Sequence, residues 1–214
     1  YCNQLTYAES LKIHPNNFSS INIEINFVSE KEWRRSILSS LIKSKKIKKD
    51  EIEHFTRSNR SSAYINFSLP GDFNCTLKAE IRPHGKLSDH RDGSGLPSLN
   101  VNLKEGHIFG ITKFILFRPI SRGYNNEVLI TSILNNIGLL SPQSANVSVF
   151  YNAKKINFIF QERIGKEFLE KNHLIEGPIL KGDERFSFNF FKENKDEIAK
   201  LSNHKISNGE WAIK

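Results

Sequence analysis

The chain has 214 residues and carries a formal net charge of +8. A hydrophobic fraction of 38%, with 16 phenylalanines, is enough for a folded core and excludes a wholly disordered chain. Mean hydropathy is −0.45, and no apolar run approaches the roughly 18 residues of a membrane-spanning helix, so no membrane span is predicted. The basic balance favours an anionic partner, such as a nucleotide, a phosphosugar, a nucleic acid or a membrane surface.

Much of the positive charge lies in one short segment. Residues 43–49 hold five lysines and no acidic residue. Such a run is typical of a solvated helix end or loop. Proteins that bind single-stranded nucleic acid place aromatic residues among the basic ones, and no aromatic residue occurs in this segment. A nucleic-acid partner is therefore disfavoured.

The two cysteines, Cys2 and Cys75, have neither the spacing of a metal site nor the number needed for a disulfide framework. They are compatible with one disulfide in an oxidising compartment or with two free thiols. The sequence begins at Tyr1, contains no methionine and ends at Lys214 without a terminating signal. We therefore expect a piece of a longer protein, or a processed one, and the missing signal peptide says nothing about secretion.

Residues 1–60 predict an N-terminal appendage. Residues 1–19 show no periodicity, and apolar residues then alternate with polar ones from Ile21 to Phe27, as in a half-buried strand. Ser29 followed by Glu32 is a capping box. The apolar residues behind it recur at helical spacing: Trp33, Ile37, Leu38, Leu41 and Ile42. The helix leads into the lysine run, and a short helical pattern follows at 51–55.

Residues 61–185 predict one compact unit. Strands are predicted at 64–67, 75–82, 99–103 and 114–117, and a helix at about 125–139. A hairpin of 147–151 and 156–161 follows, then a short helix at 165–172. Links of hairpin length predict an α+β fold, a mainly antiparallel sheet with one packed helix. The helix face expected to pack comprises Val128, Leu129, Ile133, Leu134 and Ile137. Residues 186–214, with a helix at 186–201, are expected to begin a truncated C-terminal part.

The densest polar segment is the loop of residues 82–95. It holds three glycines, two histidines, two aspartates and three cationic residues. Such a loop can turn backbone N–H groups and cations toward a phosphate, with no bulky Cβ in the way. A solvent-exposed turn rich in loop-forming residues is an equally good interpretation.

A metal site is a rival hypothesis for this loop. His84, Asp89, His90 and Asp92 offer nitrogen and oxygen ligands for zinc or manganese, although their spacing matches no defined metal motif. A nucleophilic triad of Ser88, His90 and Asp92 is disfavoured, because such close neighbours on one extended loop do not easily converge and no nucleophile elbow is present.

Two glutamates lie at element boundaries. Glu127 begins the central helix, where a partner for the helix dipole is the simplest role. A phosphate-positioning role would require a lysine from the sheet, and Lys104 and Lys113 are the candidates. Glu162 follows an apolar strand, where it is expected to cap a turn, to pair with Arg163, or to mark a hinge between two lobes.

The order of several short motifs resembles the spore-coat CotH kinase family. The motifs are Ile-Arg-Pro-His-Gly at 81–85, Leu-Asn-Val-Asn-Leu at 99–103, the segment 110–119, the helix from Asn126 to Gly138 with Pro142 after it, and the segments 147–152 and 158–164. The resemblance implies a kinase-like N-lobe that covers ATP with Mg, with a hinge near Glu162. It places Arg82, Gly85, Lys86 and Ser88 on the phosphate side and Glu127 on the helix that pairs with the nucleotide-binding lysine.

The chain departs from the family at two points. Lys86-Leu87-Ser88 stands where the family has Asn-Ser-Ser. Leu96-Pro97-Ser98 replaces the family's basic residue before the third strand, so Lys104 is left as the substitute candidate for the nucleotide-binding lysine. The family's catalytic C-lobe is not recognisable after residue 185, so the resemblance implies a nucleotide-covering part that is inactive alone. For the whole protein it implies a nucleotide and a protein substrate as partners. The alternative is a non-catalytic module of the cell envelope that binds an anionic glycan through the 82–95 loop and the basic surface.

Overall fold

The computed structural model describes residues 21–46, 60–69, 73–85, 88–90, 96–182 and 204–206. The chain divides into two compact units, residues 1–163 and 164–214. The unit predicted at 61–185 therefore spans parts of both. Within the described residues, no helix is both long enough and apolar enough to cross a membrane.

The first unit consists mainly of strands. Its strands are β1 (Asn22–Phe27), β2 (Ser61–Leu69), β3 (Phe73–Pro83), β4 (Leu99–Leu103), β5 (Lys113–Phe117), β6 (Ser144–Tyr151) and β7 (Lys154–Glu162). Its helices are α1 (Glu30–Lys46) and α2 (Asn126–Asn136), with two short 3-10 helices at Ser88–His90 and Pro119–Arg122.

The seven strands close into a barrel in the order β1-β2-β3-β4-β5-β7-β6. All neighbouring pairs are antiparallel except the pair that closes the barrel. There β1 runs parallel to β6, with Asn22 opposite Ser148 and Glu24 opposite Phe150. Closure removes the unpaired edges that an open sheet would present.

Alternation along the strands fills the barrel. In β1, Ile23 and Ile25 are buried while Asn22, Glu24 and Asn26 are exposed. The other strands add inward-facing residues to the same core: Ala63, Ile65, Phe67, Cys75, Leu77, Ala79, Ile81, Leu99, Val101, Leu103, Phe114, Leu116, Ala145, Val147, Val149, Ile156, Phe158 and Phe160. Such burial contributes about 25 cal/mol for each Å² of apolar surface removed from water.

The start of α1 is fixed as its sequence predicts. The Glu32 backbone N–H donates to Ser29 Oγ at 3.3 Å, so the N-cap is formed. Trp33 is fully buried, and its ring stacks on Phe27 at a centroid distance of 4.2 Å. Tyr151, the last residue of β6, meets Phe27 edge to face at 5.8 Å. These aromatic contacts tie α1 to the barrel where β1 and β6 end.

The predicted fold class is wrong. An α+β layer resembling a kinase N-lobe, with one helix packed on an open antiparallel sheet, is replaced by a closed barrel of mixed strand direction. The strand expected in an N-terminal appendage is β1, which pairs with both β2 and β6. Alternation in a sequence identifies the buried face of a strand but not the partners of its edges, so closure by a distant parallel strand was not predictable.

The central helix also differs from its prediction. Helix α2 buries one side chain, Thr131, whose Oγ1 donates to the Glu127 backbone carbonyl at 2.9 Å. Residues expected on the packed face are largely exposed, at 58% for Leu129, 49% for Ile133 and 64% for Ile137. An apolar stripe at helical spacing thus predicted the helix correctly but not its burial.

The second unit is small. It contains α3 (Lys166–Lys171) and an antiparallel pair of short strands, β8 (Leu180–Gly182) and β9 (His204–Ile206). Lys166 Nζ lies 3.5 Å from both Glu170 Oε1 and Glu176 Oε2. The helix predicted at 186–201 lies outside the described residues, as do the tail at 1–19, the lysines at 48 and 49, and the pattern at 51–55.

Cys75 is buried in the barrel core and takes part in a disulfide. The other cysteine of the sequence, Cys2, lies outside the described residues. Of the two states left open by the sequence, the structure has the oxidised one at Cys75.

Candidate functional site

Several loops meet at one end of the barrel. Because of the strand directions, β1, β3, β5 and β6 end there, and β2, β4 and β7 begin there. This end, here called the loop end, therefore carries residues 84–85, 88–90 and 96–98, the segment that follows Phe117, and the turn between β6 and β7. Loops at one end of a rigid barrel are a common place for a binding site.

Strand register aligns Arg82 and Gln161 in one row on the outer face of the barrel. Arg82 lies opposite Asn100 of β4, Asn100 lies opposite Ile115 of β5, and Ile115 lies opposite Gln161 of β7. Because side chains alternate along a strand, these residues face away from the core. Arg82 and Gln161 thus belong to one surface, separated by the two strands between them.

Ser98 fixes the loop that follows β3. This fully buried residue accepts a hydrogen bond at its carbonyl from the His84 N–H at 2.7 Å, and its own N–H donates to the His90 carbonyl at 2.9 Å. Its Oγ lies 3.0 Å from His90 Nδ1 and accepts from the Arg118 N–H at 2.9 Å. One hydroxyl therefore joins the loop to the end of β5.

Phe117 lies at the loop end outside the barrel core and is 1% exposed, covered by the side chains of the residues around it. The rings of His84 and His90 lie 5.2 Å and 6.2 Å from its ring. The Arg122 guanidinium carbon lies 3.9 Å from the centroid of the same ring. An aromatic face attracts a cation and holds its side chain in one orientation. Arg122 Nη1 is also 4.0 Å from Glu127 Oε2.

Positive charges surround His84. Burial first, and then the charges of His90, Arg122, Arg82 and Arg163, lower the pKa of His84 to about 3. His84 is therefore neutral at physiological pH because a further proton would be both desolvated and repelled. We call these five residues the arginine–histidine cluster. Its net positive field is suited to an anionic group.

The structure brings part of the predicted site together. Arg82 belongs to the cluster, and Gly85 lies directly beneath the His90 ring. Ser88 begins the first 3-10 helix, with its side chain outside the description, and Lys86 lies outside the described residues altogether. Glu127 reaches the same face, where it accepts a short hydrogen bond from Gln161 Nε2.

Lys104 and Glu162 are each held by partners of their own. Lys104 follows the last residue of β4, and its Nζ is 2.8 Å from Glu80 Oε1. Hydrogen bonds from Lys104 and Arg60 lower the pKa of Glu80. Lys104 is thus engaged with Glu80 rather than with Glu127.

Glu162 ends β7 and is 4% exposed. Its Oε2 accepts from the Gln143 N–H at 3.2 Å, and its own N–H donates to the Gln143 carbonyl at 2.8 Å. These bonds fasten the chain before β6 to the end of β7. Glu162 lies opposite Phe114 of β5, and its bonds to Gln143 give it a structural role in the barrel.

Among the described residues, no group of three histidine, cysteine, aspartate or glutamate side chains is placed to hold a metal ion. Asp92, one of the four ligands considered in the sequence, lies outside that part of the chain.

Arg122 is the site residue that the sequence reasoning missed. It follows Pro119, which was interpreted only as the stop of a strand. Proline within the first turn of a short helix is itself a recognisable signal, and it places Arg122 at the end of the 3-10 helix.

The chain matches no protein-family model, and no curated protein matches it significantly. The resemblance to the CotH family stays a prediction.

Gly85 and Gly138 form a matched pair for a test of the loop. Both have positive φ, at +82° and +79°. A Cβ on Gly85 would lie 1.9 Å from His90 Cδ2, whereas a Cβ on Gly138 would meet nothing within 4 Å. Gly138→Ala should lower the free energy of unfolding by about 1 kcal/mol, the cost of the left-handed conformation.

Gly85→Ala should cost clearly more than Gly138→Ala, because it must also displace His90 from Ser98. Urea unfolding of the two variants measures the difference. Equal losses of stability would show that His90 does not rest on Gly85.

Proposed function

We propose that the barrel is a non-catalytic binding module for an anionic glycan, with the arginine–histidine cluster receiving a negatively charged group of the ligand. One observation carries the proposal: the Arg122 guanidinium stacks on the Phe117 ring beside the rings of His84 and His90, and the charges of Arg82 and Arg163 also act on His84. Guanidinium groups are well matched to carboxylate, sulfate and phosphate oxygens because they donate in a planar fork.

The environment of Arg122 strengthens the proposal. Its Nε is buried and has no hydrogen-bond partner, so a donor is left for an acceptor that the protein itself does not supply. Its side chain is about one-third exposed, at 36%, and rests on Phe117. A cation held against an aromatic ring is already oriented, so little side-chain entropy is lost when a ligand binds.

The electrostatics of His84 support an anionic rather than a neutral ligand. A neutral imidazole surrounded by guanidinium groups adds no charge of its own, but it provides a ring nitrogen for a hydrogen bond. An anion placed within this field would relieve the repulsion among the arginines. Partial burial makes that interaction stronger than it would be in bulk water.

The nucleotide-covering role implied by the family resemblance, with ATP and Mg, stays a prediction and is not carried into this proposal. Phosphoryl transfer depends on positioning a metal-bound phosphate between a lysine, an acidic partner and further catalytic residues. Here Lys104 is engaged by Glu80, and Glu162 is bonded to the Gln143 backbone. A binding module requires none of these groups.

The test is binding of an acidic polysaccharide, polygalacturonate, by isothermal titration calorimetry. Arg122→Gln should weaken binding about tenfold, because a hydrogen bond to a charged group contributes roughly 1.5 kcal/mol or more. Binding by the unchanged protein should weaken as salt is raised. Arg35→Gln is the matched control, since Arg35 is an exposed arginine on α1 outside the cluster.

A second readout reports on the site directly. The pKa of His84, about 3 in the absence of ligand, should rise when the polysaccharide is added, because a neighbouring anion stabilises the imidazolium. NMR titration of the histidine ring protons measures it. Equal affinities for Arg122→Gln and Arg35→Gln, with no change at His84, would rule out the cluster as the binding site.

A further inference from the structure

A groove opens on the other side of the 3-10 helix Pro119–Arg122 from the cluster. It has a volume of about 640 Å³ and lies between the segment after β5 and the first residues of β7. Pockets that bind small ligands typically enclose about 300–1,000 Å³. The lining residues that matter chemically are Arg118, Ile120, Tyr124, Lys154, Lys155 and Asn157.

All charged side chains that line the groove are cations. Lys154 and Lys155 are exposed at the start of β7, where they follow the tight turn Asn152–Ala153. Arg118 is 6% exposed, with its guanidinium 4.9 Å from the centroid of the Phe158 ring. A guanidinium stays charged even where burial lowers its pKa, so Arg118 contributes a fixed positive charge at the wall of the groove.

Tyr124 presents an aromatic face to this groove. Its side chain is 62% exposed, and its backbone has φ +58°, a conformation that bulky L-residues rarely adopt. The Tyr124 N–H donates to the Pro119 carbonyl at 2.8 Å, which fixes the ring beside the short helix. Strained backbone of this kind is found at sites that clamp a ligand.

We propose that this groove is a second subsite, which binds an acidic sugar ring with its apolar face on Tyr124 and its carboxylate against the cationic side chains of the lining, Arg118, Lys154 and Lys155. Asn157 supplies an amide for the sugar hydroxyls. An aromatic ring provides a rigid apolar platform at low entropic cost. The inference rests on the proposed function and specifies its ligand as a glycan of uronic acids.

The two subsites are close enough for one ligand. Arg118 faces the groove and Arg122 faces the cluster, and they stand at the two ends of the same short helix. A 3-10 helix rises ~2.0 Å for each residue, so the two backbone positions are about 8 Å apart. A single sugar ring fits one subsite, whereas an oligosaccharide reaches both.

The experiment uses oligogalacturonate, galacturonate monomer and a neutral malto-oligosaccharide as probes for the full chain, with calorimetry as the readout. Lys154→Ala with Lys155→Ala should weaken oligogalacturonate binding about tenfold. The control is Lys31→Ala with Lys78→Ala, which removes two exposed lysines outside the groove and should leave the affinity unchanged. The neutral oligosaccharide should bind much more weakly than the acidic one to the unchanged protein.

Tyr124→Gly separates a ligand-binding role from a structural one. Glycine adopts positive φ without steric cost, so the melting temperature should stay the same or rise, while oligogalacturonate binding falls about tenfold. Tyr124→Phe keeps the ring and should retain most of the affinity. If Tyr124→Gly lowered the melting temperature and left binding intact, the platform role would be excluded.

The outcomes distinguish the two proposals. If Arg122→Gln weakens binding but the lysine and Tyr124 variants do not, the groove subsite is overturned and the proposed function stands. If the groove variants weaken binding and Arg122→Gln does not, the groove is a site and the cluster is not. If oligogalacturonate and its monomer bind no better than the neutral sugar, both proposals fail.

Discussion

Closure of the barrel by β1 and β6 is the constraint on which the rest of this structure depends. The two strands are distant in sequence and run parallel, unlike the other neighbouring pairs of the barrel. Parallel pairing of distant segments gains no help from a tight turn, so the buried side chains of β1 must stabilise it. Ile23 and Ile25 are the buried side chains of β1 that stabilise the pairing. Trp33 covers the same part of the barrel, where its ring stacks on Phe27. Without this pair, β2 and β6 would each present an open edge.

Closure also determines which polar residues meet. It brings His84, His90, the short helix Pro119–Arg122 and the start of β7 to one end, where Ser98 joins the two histidines to the end of β5 through hydrogen bonds. The result is a basic surface with a rigid aromatic centre at Phe117 and an exposed ring at Tyr124. The proposed binding function rests on these fixed cations and aromatic faces.

The sequence predicted local structure well and long-range pairing poorly. Alternation in β1, the Ser29 cap and the turn at Asn152–Ala153 are decided by neighbouring residues, so their patterns were sufficient. The apolar run Phe114–Phe117 has no alternation of apolar and polar residues. Nothing in it therefore indicated that the Phe117 side chain lies outside the barrel core and stacks against the Arg122 guanidinium. The loop that contains Arg82 and Gly85 was recognisable as a candidate site from its glycines, histidines, aspartates and cationic residues. The pairing of Lys104 with Glu80, and of Glu162 with the Gln143 backbone, depends on strand order, which local patterns do not encode.

The most direct test of barrel closure compares Ile23→Ala with Val28→Ala by urea unfolding. Ile23 is fully buried between β2 and β6, whereas Val28, just after β1, is 62% exposed. If β1 closes the barrel, Ile23→Ala should lower the free energy of unfolding by about 2–5 kcal/mol, and Val28→Ala should change it by no more than about 0.5 kcal/mol. Similar small losses in both variants would mean that the barrel folds without β1, and the account would be wrong.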